Sequence, residues 1–469
     1  MLFNSFQYWI FFLIVIVLFY SVPFRIGKVL LLCASYVFYM WWDPRFIVLI
    51  LTSTIIDYFL GILLEVASGS WKRLLLVVSL VVNLGFLGFF KYYNFFASSL
   101  ASLLHISESS VVLNIILPVG ISFYTFASLS YTIDVYRGEM KAVRNFIDYA
   151  LFIAFFPHLI AGPIIRARQF LFQIPNWRRP AAIVVQSGII LVLSGLLKKL
   201  VFADRFAVIS DSYFNNLLAN PGWLAAWSGG LAFAGQIFFD FSGYTDIARG
   251  CAKLLGFEFP LNFVRPFLAR NPVDFWQRWH ITLSTWVRDY LFMPLSRMRK
   301  GRLVLYCNLI VVMILVGLWH GANWTFVAWG AYMGLLLIGY RLFAHATTGT
   351  TVARVMAKRY FVPLSIALMV LAFCMSTAFF RGKTLSQSQF VLHEMLGFSQ
   401  VTGEFLLTSY SIVLGLIALV LAMAQERNQF IDRLAFAPAR VQIPAYVLAF
   451  LALELLPATG PVPFVYFQF

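Results

Sequence analysis

Apolar residues fall in runs long enough to cross a bilayer, separated by short polar turns. The runs cover 6–22, 27–42, 46–64, 74–97, 112–133, 146–165, 181–197, 223–243, 303–340, 361–380, 405–424 and 441–456. A spanning helix needs about 20 largely apolar residues, so this pattern predicts about eleven spans plus re-entrant or interfacial helices. The fold class expected is an all-α polytopic membrane protein. No internal repeat or Pro/Ser/Gly linker divides the chain, which reads as one domain over 1–469.

Two runs do not fit a simple span. At 1.5 Å per residue, 303–340 would form a helix of more than about 50 Å, against a hydrocarbon core of about 30 Å. It must break or turn, best between Gly317 and Trp324, which puts His320 and Asn323 near a bend. Charge placement exposes the other misfit. Arg25 and Lys28, Lys72 and Arg73, then Arg137, Lys141 and Arg144 fall on the cytoplasmic side, with 43–45 and the loop 98–110 outside. Arg166, Arg168, Arg178 and Arg179 then break the alternation unless 146–165 enters and leaves on one face. Pro157, Gly162 and Pro163 interrupt a helix there. Broken backbone at membrane depth survives where protein or a water-filled cavity covers it, which suggests a cytoplasmic funnel or pocket.

Composition supports the membrane reading. Hydrophobic residues make up 61% and charged residues 12%, about half the share of a soluble domain. The net charge of +16 is explained by positive loops near anionic lipid, and no nucleic-acid-binding pattern accompanies it. Cys33, Cys251, Cys307 and Cys374 are too scattered for a disulfide framework. Residues 1–22 lack a basic start and a small-residue cleavage site. They read as a retained first span with the N-terminus outside.

The chemistry concentrates at two histidines. His320, in Gly317-Leu-Trp-His-Gly321, has apolar flanks that favour a neutral imidazole, able to take a proton from a hydroxyl. A histidine hydrogen-bonded between two helices reads equally well. Gly317 and Gly321 allow a helix or substrate to come close. His280 lies where Trp276, Trp279, Leu283, Trp286 and Tyr290 recur at helical spacing, and on these residues alone an interfacial anchor is favoured. His158 reads as packed or hydrogen-bonded; His105, His345 and His393 read as surface residues. Eight Arg or Lys residues lie between 265 and 302, opposed by Asp274 and Asp289. They suit either an ordinary positive-inside loop, the favoured reading, or attraction of the phosphates of coenzyme A or of an acidic carrier protein. Asp240-Phe-Ser-Gly-Tyr-Thr-Asp246 reads as a structural corner, and no metal site is expected.

These blocks, in order, resemble the membrane-bound O-acyltransferase family, and within it the bacterial alginate O-acetylation branch. The resemblance rests on Leu117-Pro-Val-Gly-Ile-Ser-Phe-Tyr-Thr-Phe126, Ile133-Asp-Val-Tyr-Arg-Gly138, Phe155-Phe-Pro-His-Leu-Ile-Ala-Gly-Pro163, Asp240-Phe-Ser-Gly-Tyr244, Phe275-Trp-Gln-Arg-Trp-His280, Arg288-Asp-Tyr290, Gly317-Leu-Trp-His-Gly321 and the ending Phe464-Val-Tyr-Phe-Gln-Phe469. One departure is Pro294-Leu-Ser-Arg-Met298, where that branch shows Pro-Leu-Gly-Gly. The resemblance implies a core over about 112–340 and a ring of helices around a central tunnel. It implies a multi-pass protein of the bacterial inner membrane, with His320 as the catalytic histidine and His280 as a second. Trp319, Asn323, Trp276, Trp279, Arg278, Arg265 and Asp240 are the residues expected to line the substrate passage. It implies no permanently bound cofactor, acetyl-CoA or an acylated carrier protein as donor, a polysaccharide acceptor and an extracytoplasmic SGNH-type acetyltransferase partner. D-alanyl transfer from a carrier protein is the alternative cargo. A transporter or flippase without chemistry is the other class, disfavoured because paired broken helices are not seen.

Overall fold

A computed structural model describes residues 1, 3–298, 301–356, 358–399, 401–404, 413, 415–417, 419–420, 430–457 and 463–465. Every regular element among them is helical. Six helical stretches are long and apolar enough to cross a bilayer: Pro44–Val66, Gly69–Leu104, Ala182–Phe214, Arg302–His320, Trp324–Thr347 and Arg359–Arg381. The chain is an all-α, multi-pass membrane protein.

The apolar runs become spans unevenly. Phe6–Tyr20 and Phe24–Met40 are shorter than the six. The run 112–133 becomes a helix only from Ile121 to Arg137, and that helix is buried almost all round. The helix from Gly69 continues through a π turn at Gly88–Tyr92 to Leu104, so the expected loop at 98–110 begins only at His105. The run at 405–424 lies largely outside the described residues.

The chain divides into two compact units, residues 1–189 with 248–260, and residues 190–247 with 261–469. In the first, the interrupted run 146–165 is irregular as expected. Helix Phe146–Ala154 ends at Phe155, a short turn spans Phe156–Leu159, and helix follows again at Ala167–Leu171. Neighbouring helices serve the freed backbone donors. Phe156 N–H donates to Ser35 Oγ at 3.1 Å and Ala167 N–H to Ser130 Oγ at 3.3 Å. His158 is buried, its Nε2 3.0 Å from the Phe152 carbonyl oxygen, which is the packing role expected of it. Gly120, at φ +78°, must stay glycine, because a Cβ there would stand 2.6 Å from the Leu159 oxygen.

A buried carboxylate ties three helices of this unit together. Asp57 accepts from Ser79 Oγ at 2.7 Å, Asn83 Nδ2 at 2.6 Å and Ser128 Oγ at 2.6 Å. Ser53 donates in turn to Asn83 Oδ1 at 2.8 Å. Three donors converge on one acceptor; without it they keep only longer contacts, Ser79 with Thr132 Oγ1 at 3.0 Å, Asn83 with the Ser79 oxygen at 3.0 Å and Ser128 with Tyr149 at 3.2 Å. Each lost bond to the carboxylate costs about 0.5–1.5 kcal/mol net. Asp57→Ala should lower the unfolding temperature in detergent by several degrees, and an unchanged melting curve would contradict this account of the helix junction.

Candidate functional site

In the second unit the long apolar run breaks where its length requires. Helix Arg302–His320 ends at extended Gly321, and helix Trp324–Thr347 begins after Asn323. Asn323 Oδ1 accepts from Thr325 N–H at 3.0 Å, satisfying an open end of the second helix. The two helices pack along each other. Their contact is backbone to backbone: a Cβ on Gly317 would lie 2.1 Å from the Phe326 oxygen, and one on Gly330 would lie 2.3 Å from the Met313 oxygen. Gly321 faces the Phe326 ring. The close approach expected of Gly317 and Gly321 is therefore to the following helix.

His320, the last residue of its helix, is 6% exposed. Aromatic rings enclose it, with centroids 4.9 Å away for Trp319, 5.2 Å for Trp329 and 5.1 Å for Phe380. It lines a small recess with Phe233, Ile237, Trp279, Trp329, Phe373, Ser376, Thr377 and Phe380. Phe373, Ser376, Thr377 and Phe380 form one face of helix Val362–Arg381, at i, i+3, i+4 and i+7. Ser376 Oγ donates to the Phe373 oxygen at 2.6 Å and Thr377 Oγ1 to the Cys374 oxygen at 2.5 Å. Each hydroxyl proton is thereby used on its own helix.

The second histidine stands on a different element. The aromatic spacing predicts a continuous helix through 276–290, but Pro272–Arg278 and Ile281–Val287 are separate helices, and Trp279 and His280 form the joint. His280 has φ 42° and ψ 54°. It is fully buried, which replaces the interfacial-anchor reading. Its ring lies 4.6 Å from Phe241 and 5.8 Å from Trp319, so Trp319 touches both histidines. Neither ring nitrogen of His280 has a hydrogen-bond partner among the described residues. Burial pushes its pKa down to about 3 from an ordinary 6.5, so the ring is neutral at pH 7.

That depression has a stability consequence. As pH falls below about 6.5 the unfolded chain takes up a proton here while the folded chain does not. The contribution is whole above 6.5 and is lost progressively toward pH 3. At pH 5 the loss is on the order of 2 kcal/mol. The unfolding temperature in detergent should fall between pH 7.5 and pH 5, and His280→Asn should flatten that dependence. An equal slope in the variant would contradict it.

The other expected lining residues divide. Trp279 forms a wall of the recess, and Trp276 lies behind it, 6.2 Å from Trp329. Arg278 is engaged by Asp274, Nε to Oδ1 2.6 Å. Arg265 is half-buried at a left-handed φ of 48°. Asn323 serves as the helix cap and also donates through Nδ2 to the Lys383 oxygen at 3.3 Å. Asp240 is buried at a clasp: Lys199 Nζ is 2.9 Å from Oδ1, and Val465 N–H donates to Oδ2 at 2.6 Å. The same Lys199 reaches Asp204 at 2.8 Å, and Lys198 pairs with Asp246 at 2.7 Å. These pairs give 240–246 the hydrogen-bonded structural role expected of it, but the stretch lies inside the continuous helix Trp223–Leu254 and is not a corner. In the basic stretch Arg288 pairs with Asp289 at 2.7 Å, and Arg299 and Lys300 lie outside the described residues. Phe233, Ile237, Trp329 and the 373–380 face are the site residues that the sequence reading missed.

A recess capped by a histidine at a helix break, within membrane-spanning helices, calls for comparison with known proteins. The family model of the membrane-bound O-acyltransferases, MBOAT, matches residues 67–383. The chain belongs to this family. Among its relatives, a probable alginate O-acetylase AlgI of Azotobacter vinelandii is 45% identical over 325 residues, covering 68% of this chain and 64% of that protein. A peptidoglycan O-acetyltransferase of Helicobacter pylori is 34% identical over 410 residues, covering 80% and 75%. A teichoic acid D-alanyltransferase of Bacillus subtilis is 32% identical over 248 residues, covering 49% and 60%. The chain thus spans just under two thirds of the Azotobacter relative's length. The MBOAT match encloses both histidines and the whole recess.

Proposed function

We propose that this MBOAT protein is a membrane O-acyltransferase. In this reading it moves an acetyl group from cytoplasmic acetyl-CoA, or from an acylated carrier, to a hydroxyl of an extracytoplasmic polysaccharide or partner protein. The observation that carries it is His320 at a helix break, lining an aromatic recess. The relatives' activities, alginate O-acetylation and peptidoglycan O-acetylation, support the acyl class.

The chemistry follows from the residues. His320 takes the proton of the acceptor hydroxyl as its oxygen attacks the thioester carbonyl. The tetrahedral intermediate collapses, the C–S bond breaks, and the imidazolium returns its proton to the leaving thiolate. Walls of Trp279, Trp329, Phe373 and Phe380 exclude water, which protects the thioester from hydrolysis. Neutral His280, buried across Trp319 from His320, bears on the reacting groups through that shared ring. Holding both reactants in one confined passage supplies the effective concentration that a side-chain base alone does not.

The test is label transfer in sealed vesicles containing the purified protein. Labelled acetyl-CoA added outside should yield ester-linked label on an enclosed polysaccharide, alone or with its partner protein. Label arriving only from a D-alanyl-charged carrier protein would reassign the cargo. Transport of an unmodified solute without ester formation would overturn the enzyme reading.

A further inference from the structure

The His280 ring makes no hydrogen bond among the described residues. Its direction toward Trp319 is set by the backbone that carries it and by packing on Phe241. That backbone is left-handed, which costs a non-glycine residue about 1–2 kcal/mol and persists only where surrounding contacts over-determine it.

The hydrogen bonds that tie the joint to the preceding chain come from one segment. Ile281 N–H, immediately after His280, donates to the Asn262 oxygen at 2.9 Å. Thr282 Oγ1 donates to Asn262 Oδ1 at 2.6 Å. On the other side of the joint, Val264 N–H donates to the Arg278 oxygen at 2.9 Å. Asn262 is itself anchored, its Nδ2 donating to Thr245 Oγ1 at 3.3 Å, and is 1% exposed. Asn262 thus holds the chain through both main chain and side chain, directly after the strained residue.

We infer that Asn262 and Thr282 are positioning residues for acyl transfer: their hydrogen bond locks the left-handed joint that aims the His280 ring at Trp319 and the His320 site. Neither touches the recess; both act through His280. The inference rests on the reading of this site as an acyltransferase centre in which His280 takes part.

A double-mutant cycle on the full-length protein, with labelled acetyl-CoA as donor, tests it. Thr282→Val removes the hydroxyl at nearly constant volume. It should lower kcat by roughly 10–100-fold and leave KM for acetyl-CoA within about twofold, the signature of misplacement without lost binding. Thr282→Ser should restore transfer to within a few-fold. In a His280→Ala background, Thr282→Val should cost nothing further, because its effect passes through the missing ring. If Thr282→Val gives no monodisperse protein, Thr282→Ala substitutes for it with the same expected pattern. Full activity of Thr282→Val, or a loss that adds undiminished to that of His280→Ala, would overturn the positioning role. Wild-type activity of His280→Ala would instead overturn the part assigned to His280.

Discussion

His320→Gln is expected to abolish acyl transfer while the protein still folds and reaches the membrane. Glutamine keeps the bulk and hydrogen-bonding capacity of the side chain but cannot take up a proton near neutral pH. General-base catalysis is worth about 10²–10⁴-fold, so the residual rate should fall by at least that range. Folding should survive because the ring contacts of His320 with Trp319, Trp329 and Phe380 are disturbed only modestly by an amide of similar size. Label-transfer rates, measured beside size-exclusion profiles of wild type and variant, separate the two effects. Wild-type transfer by a well-folded variant would remove His320 from the base role.

Gly317→Ala should do the reverse and damage the fold first. The added Cβ would meet the Phe326 carbonyl oxygen at 2.1 Å, with Gly330 N at 3.2 Å behind it. Both are backbone atoms of the partner helix, so no side-chain rotation relieves the clash. The two helices must separate, forfeiting packing along their contact at a cost of about 1–3 kcal/mol or more. His320 sits less than one turn from Gly317 and would move with it. The expected result is a lower unfolding temperature, less monodisperse protein and near-complete loss of transfer. A Gly317→Ala protein with wild-type stability would show that the helices approach less closely than described.

The break at 321–323 was legible because a run longer than the bilayer is thick has to turn, and Gly321 and Asn323 supply the terminus and the cap. The irregular course of 146–165 was legible from its prolines and glycine. His280 was misread as part of one helix because Trp276, Trp279, Leu283, Trp286 and Tyr290 keep helical period across a joint fixed by Asn262, 18 residues upstream. Periodicity reports which faces are apolar and is blind to a tie from elsewhere in the chain. Apolar runs likewise do not distinguish lipid exposure from burial in protein. Ile121–Arg137 carries Ser122, Ser128, Ser130, Thr132 and Asp134 inward and is enclosed, whereas the equally helical Gly69–Leu104 stands largely exposed. The recess wall on Val362–Arg381 left a faint sign, two adjacent hydroxyl residues, Ser376 and Thr377, framed by Phe373 and Phe380 in an otherwise apolar span. The two lysines clasping Asp240 and Asp246 left none, since such pairing appears only once the chain is folded.

Chemical rescue tests the central claim most directly. His320→Gly removes the base and leaves a void at the recess, and imidazole supplied in solution can enter it. With labelled acetyl-CoA and an acceptor in reconstituted vesicles, the account predicts transfer near zero without imidazole. It predicts a rate that rises with imidazole concentration and follows the neutral form of imidazole as pH is raised. Wild-type transfer by His320→Gly with no imidazole present would contradict it.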